Sequence, residues 1–139
     1  MNVTLVDLMS SPVMTVTKHE TAGHAAKLMR TANVSALPVV GPDGEPVGII
    51  TASDLLDDRS DASIVASFMS HPAFTVPSSE QPHVAARIMR NHRLHHVVVV
   101  DHHRVVGMVS AFDLLALVEE HRYTAKPAPT PAKRMSKRQ

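Results

Sequence analysis

Apolar residues change their spacing along the chain in a set order, and that order occurs twice. The spacing predicts a short helical lead-in from Leu5 to Met9, halted at Ser10-Ser11-Pro12, where proline turns the chain into an extended segment, Val13–Val16. Ala22, Ala25, Ala26 and Met29 then fall at i, i+3, i+4 and i+7, the apolar stripe of an amphipathic helix. Leu37–Val40 and Val47–Thr51 have strand character around the turn-rich Gly41-Pro42-Asp43-Gly44. After Gly48 the second of these strands runs into Thr51-Ala52-Ser53-Asp54-Leu55-Leu56, which predicts the start of a closing helix. A polar connector, residues 57–63, leads to the second round. There the lead-in is Ser63 to Met69, the extended segment is Phe74–Val76, and Pro82 stands at the first position of the helix, where its missing N–H costs nothing. Val97–Val100 and Val105–Val109 flank Asp101-His102-His103-Arg104, and Gly107-Met108-Val109-Ser110-Ala111-Phe112-Asp113-Leu114-Leu115 repeats the strand-to-helix turn.

The likeness extends to residue identity. Offset by 60 positions, residues 9–40 match 69–100 at twelve of 32 places; offset by 59, residues 47–56 match 106–115 at six of ten. An internal duplication of this kind predicts an α+β fold, with α/β-type repeats, of two β-α-β-β-α units. One unit buries too little apolar surface to stand alone, so the two are expected to pack as a single body about a pseudo-two-fold axis. The expected boundaries are 1–60 and 61–123. Residues 124–139, rich in proline, alanine and lysine, have the composition of a disordered basic tail.

Charge changes the picture in one respect. Of 14 lysines and arginines against 13 acids, five (Lys126, Lys133, Arg134, Lys137 and Arg138) lie in the tail, which leaves nine basic against thirteen acidic residues in 1–123. A mildly acidic body with three Phe, one Tyr and no Trp argues against a nucleic-acid surface. The absence of cysteine removes disulfides and thiolate metal sites. No basic leader precedes an apolar stretch, and no apolar run approaches a bilayer span, so a soluble, cytoplasmic protein without a membrane partner is expected.

Candidate chemistry gathers at the duplicated turn. A strand feeding a helix start presents backbone N–H groups, a hydroxyl (Thr51 or Ser110) and a carboxylate (Asp54 or Asp113), a set suited to a phosphate and a pair of sugar hydroxyls. The same residues, Thr51-x-x-Asp54 and Ser110-x-x-Asp113, equally have the form of helix capping boxes. Seven of ten histidines lie between positions 71 and 103. His92, His95 and His96 would share a metal face on one continuous helix, but the helix is expected to end near Arg93, and no metal site is assigned. Arg59, Arg93 and Arg104 offer phosphate partners or ordinary solvated charge. Neither a nucleophile–base set nor a Gly-rich phosphate loop is found, which argues against an enzyme.

The ordered set Met-x-x-Pro, x-Thr-Val, Ala-Ala-x-x-Met-Arg, Leu-Pro-Val-Val and Gly-x-x-Thr/Ser-x-x-Asp, repeated over about residues 3–120, resembles a tandem pair of cystathionine-β-synthase-type (CBS) domains. The resemblance implies a non-catalytic regulatory module that binds adenosine-containing ligands (AMP, ADP, ATP, NAD or S-adenosylmethionine) in two clefts, needs no other cofactor, forms a homodimer and signals to a separate effector protein. It implies ribose binding by Asp54 and Asp113 and phosphate near Thr51 and Ser110. The base would lie against Thr15, Val16, Ala36, Leu37 and Pro38 in one site, taken with Asp54. In the other, taken with Asp113, it would lie against Thr75, Val76, His96, Val97 and Val98. The second set departs from the pattern: Val98 stands where Pro38 does, and His95-His96 replace Ser35-Ala36, so its histidines are candidates to reach phosphate or to make binding pH-sensitive. Two other classes stay open, a structural adaptor with empty clefts and a nucleic-acid-associated regulator acting through the basic tail.

Overall fold

The computed structural model describes residues 3–57 and 60–120. The expected tail, 124–139, and Arg59 lie outside the described residues.

The first unit holds α1 (Ala22–Ala32), β1 (Ala36–Val40) and β2 (Pro46–Thr51); the second holds β3 (Thr75–Pro77), α2 (Pro82–His92), β4 (His96–Asp101), β5 (Arg104–Ser110) and α3 (Ala111–Glu119). Thr21 caps α1 by accepting from the His24 N–H at 3.1 Å, and Pro82 occupies the first turn of α2. Both helices end on a left-handed residue, Asn33 (φ 55°) and Arg93 (φ 57°). The stop at Arg93 separates His92 from His95 and His96, and His92 stacks instead on Phe74 with ring centroids 4.2 Å apart. β1 and β2 pair antiparallel, as do β4 and β5, the latter through a two-residue turn at His102 and His103, both at positive φ.

Four predicted elements differ from their expected form. Val13–Val16 is not a strand: only Val16 bridges Val39, whereas the equivalent β3 runs parallel to Val98–Val100. The cause is Pro38. In the second unit the Val98 N–H donates to the Phe74 carbonyl at 3.1 Å, and proline at the matching place has no N–H with which to extend the ladder. The closing helix of the first unit is a 3₁₀ turn, Ala52–Leu56, because the chain beyond it turns polar, while α3 continues to the buried Leu117. The lead-ins shorten to 3₁₀ turns, Leu5–Asp7 and Val65–Ser67.

Those lead-ins are exchanged. Leu5 is fully buried among Val76, Ala85, Met89, Val97, Val99 and Val109 of the second unit; Val65 is fully buried among Val16, Ala25, Met29, Leu37, Val39 and Ile50 of the first. The Leu5 N–H donates to the Glu80 carbonyl (3.0 Å) and the Val65 N–H to the Glu20 carbonyl (2.7 Å). Further along, Ser10 exchanges backbone hydrogen bonds with Met108 of β5, and Ser70 with Ile49 of β2. The crossing requires glycine: a Cβ on Gly107 would lie 2.8 Å from the Ser10 carbonyl oxygen, and one on Gly48 2.8 Å from that of Ser70. The pseudo-two-fold relation is thus built from reciprocal contacts, each unit closing the other's core.

Candidate functional site

Both strand-to-helix turns form capping boxes. At α3 the Ser110 N–H donates to Asp113 Oδ2 (2.8 Å) and the Asp113 N–H donates to Ser110 Oγ (3.0 Å). At Ala52–Leu56 the Thr51 N–H donates to Asp54 Oδ2 (2.8 Å), and the Thr51 and Ser53 hydroxyls lie 3.0 Å apart. Each turn is also tied to the loop after its unit's long helix, Ala52 N–H to the Ser35 carbonyl (2.8 Å) and Ala111 N–H to the His95 carbonyl (2.9 Å). Capping uses only part of a carboxylate's capacity, since two oxygens offer about four acceptor sites. The capping and ligand roles are compatible at Asp113.

A cleft of about 490 Å³ opens between the units beside Ser110 and Asp113. One wall comes from the second unit: His96, Met108, Ser110, Phe112 and Asp113. The facing wall comes from the first: Val13 and Met14 of the extended segment, then Val34, Ser35, Ala36 and Leu37 leading into β1. Ser10 and Pro12, brought by the exchanged lead-in, also line it. The apolar wall opposite a hydroxyl and a carboxylate has the form of a pocket for a flat base and its sugar.

The sequence expectation grouped Ala36 and Leu37 with Asp54; this cleft puts them opposite Asp113. Of the residues singled out, Ala36, Leu37, His96, Ser110 and Asp113 meet here, while Thr15, Pro38, Thr51, Asp54, Thr75, His95 and Val98 do not line it. Val16, Val76 and Val97 are core residues, their side chains spent on packing. Met14, Val34, Ser35 and Phe112 were not anticipated. Phe112, an 80% exposed aromatic one residue before Asp113, carried a signal in its place within the capping sequence; the others had none, since they approach the site only through the fold.

His96 lies with its Nε2 3.4 Å from Ser35 Oγ, across the boundary between units. Burial lowers its pKa below the ordinary value, the nearby His95 adds to the shift, and Asp113 opposes it. It is therefore neutral at pH 7. Among the described residues no three His, Cys, Asp or Glu side chains converge as a metal site, and no helix is long and apolar enough to cross a membrane.

A family model described as CBS domain matches residues 5–61 and 65–120. The chain belongs to the CBS-domain family. This CBS pair is 33% identical over 114 residues to homoserine O-acetyltransferase of Methanosphaerula palustris, a match covering 81% of this chain and 23% of that protein. It is 27% identical over 121 residues to hypoxic response protein 1 of Mycobacterium tuberculosis (H37Rv), covering 83% and 85%. The chain thus spans about a quarter of the acetyltransferase's length and most of the hypoxic response protein's. Among solved structures, the CBS domain pair of protein MJ0100 in complex with 5′-methylthioadenosine and S-adenosyl-L-methionine superposes with a TM-score of 0.80 at 28% identity, covering 87% of this chain and 99% of that one. Hypoxic response protein I with two coordinated zinc ions gives 0.74 at 25% identity, covering 82% and 98%. The mixed α+β pair expected from the repeat is the fold of this family.

Proposed function

We propose that this CBS pair is a non-catalytic sensor that binds an adenosine-containing ligand between its units and transmits occupancy to a separate effector protein. The observation that carries the reading is the cleft that sets Ser110 and Asp113 of one unit against the apolar wall Val34-Ser35-Ala36-Leu37 of the other. In this reading the base lies on that wall, Asp113 accepts from the ribose hydroxyls, and Thr51 and Asp54 take the corresponding roles in a twin site. The complexed pair of MJ0100 supports the choice of ligand class. A ligand held by both units favours one relative placement of them, and that differential affinity is what a sensor transmits. The units run over 1–60 and 61–123, and no catalytic group is assigned.

A homodimer is part of the proposal. Leu114 packs against the core and Leu117 is buried, but Phe112, Leu115 and Val118 are 80%, 57% and 61% exposed along one side of α3. Such a stripe is what a second copy would cover. Light scattering should give twice 15.1 kDa at micromolar concentration; a 15.1 kDa species alone would count against it.

The test of the function is thermal unfolding with 5′-methylthioadenosine, S-adenosylmethionine, AMP, ADP, ATP and NAD. At a hundred times its dissociation constant a ligand that binds only the folded state stabilises it by about 2.7 kcal/mol, an easily measured rise in melting temperature. No rise with any of them would favour an adaptor that uses the fold with empty clefts.

A further inference from the structure

The charge of the Ser110–Asp113 cleft has a consequence for which adenosine ligands fit it, given the sensing function proposed above. Among the described residues, none of those lining it is lysine or arginine, and the one acidic lining residue is Asp113. Sites that select phosphate over other groups use fixed cations or a run of unused backbone donors. Here the helix start supplies few of the latter. The Ala111 N–H donates to the His95 carbonyl and the Asp113 N–H to Ser110 Oγ, so two of the first three donors of α3 are engaged. The Asp113 carboxylate in the first turn also offsets the positive end of the helix dipole. Among the described lining residues, His96 is the remaining group able to become cationic, and it faces His95, Asp113 and Ser35. Burial keeps it neutral at pH 7.

We propose that this cleft selects adenosine ligands whose 5′ substituent is uncharged or cationic, a thioether or a sulfonium, over adenine nucleotides carrying phosphate. A phosphate monoester brings about two negative charges at neutral pH. Near Asp113, with water partly excluded, those charges meet repulsion and no partner, whereas a thioether meets Met14 and Met108 and a sulfonium meets the carboxylate. The selection comes from the missing cation as much as from the contacts made.

Calorimetric titration of the full chain at pH 7.5 with adenosine, 5′-methylthioadenosine, S-adenosylmethionine, AMP and ATP tests it. 5′-Methylthioadenosine and S-adenosylmethionine are expected to bind about tenfold or more tighter than AMP and ATP. Ser35→Arg, at an exposed position on the rim, and His96→Arg, within the cleft, each introduce a fixed cation and are expected to close or reverse that gap, read in each variant as the ratio of nucleotide affinity to adenosine affinity. AMP or ATP binding as tightly as the thioether in the wild type would overturn the charge selection and leave the sensing function standing. A wild-type preference that neither arginine alters would overturn its assignment to this cleft. No binding by any of the five ligands would remove the sensing function and this selection with it.

Discussion

In the proposed reading, Asp113 combines two jobs in one side chain. Its Oδ2 accepts from the Ser110 N–H, which stabilises the start of α3, and the carboxylate faces a cleft with room for a nucleoside. The two jobs separate under substitution. In Asp113→Asn the amide oxygen keeps an acceptor for the cap, so denaturation should show a loss of at most about 1 kcal/mol. The charge-assisted bonds to both ribose hydroxyls that the proposed function assigns to Asp113 would be lost, so calorimetry should show 5′-methylthioadenosine weakened by about ten- to a hundredfold. His96 makes stability depend on pH with a definite sign. Its folded pKa lies below 6.5, so between that value and 6.5 the unfolded chain holds the extra proton. The contribution is complete above 6.5 and is lost as pH falls through this window. Melting temperatures measured between about pH 8 and pH 5 should fall more for the wild type than for His96→Gln, with a parallel decline in both assigning the acid sensitivity elsewhere. Ser110 and Asp113 were legible from the duplicated turn. Ser35 and Met14 were not, because nothing local marks a residue that serves a site across a unit boundary.

Strands and helices were legible where an apolar period ran uninterrupted. Ala22, Ala25 and Met29 are buried on α1 as their spacing requires, and the helix end placed near Arg93 is a left-handed cap at that residue. Failure came where one residue altered the backbone's bonding, as Pro38 does in reducing Val13–Val16 to a single bridge. The glycines of the repeated turn show the complementary case. Their recurrence at 48 and 107 was visible, but the reason lies in the lead-ins that cross over them, Ser70 above Gly48 and Ser10 above Gly107. Gly107→Ala places a methyl group against the Ser10 backbone and the Met9 side chain, and the forced displacement should cost about 1–3 kcal/mol in chemical denaturation. An unchanged midpoint would show that the lead-in lifts away freely.

For the molecule as a whole, the exchanged lead-ins pack two sequence repeats against each other. A fragment covering 1–60 lacks Val65 and one covering 61–123 lacks Leu5, so each leaves a hole in its core that the missing residue fills in the intact chain. Each fragment alone should show no cooperative melting by circular dichroism. Mixed in equal amounts they should recover a transition whose midpoint rises with concentration, because association replaces the covalent link. Independent melting of either fragment would mean that a unit closes its own core.

The residue pattern of the chain was sufficient to establish the duplication, the order of elements, the positions of both capping turns and the family resemblance. Each depends on residues close in sequence, where period, turn chemistry and caps act directly on the backbone. The pairing of Asp113 with Ala36 and Leu37, the exchange of Leu5 and Val65 between cores, and the neutral His96 beside Ser35 depend on residues far apart in the chain, from 15 positions (Val65 and Ile50) to 104 (Leu5 and Val109). The repeat leaves open which copy of each segment meets which. Packing settles it, because a lead-in that crosses to the other unit buries its apolar residue and satisfies its backbone bonds there, over a glycine that allows the approach.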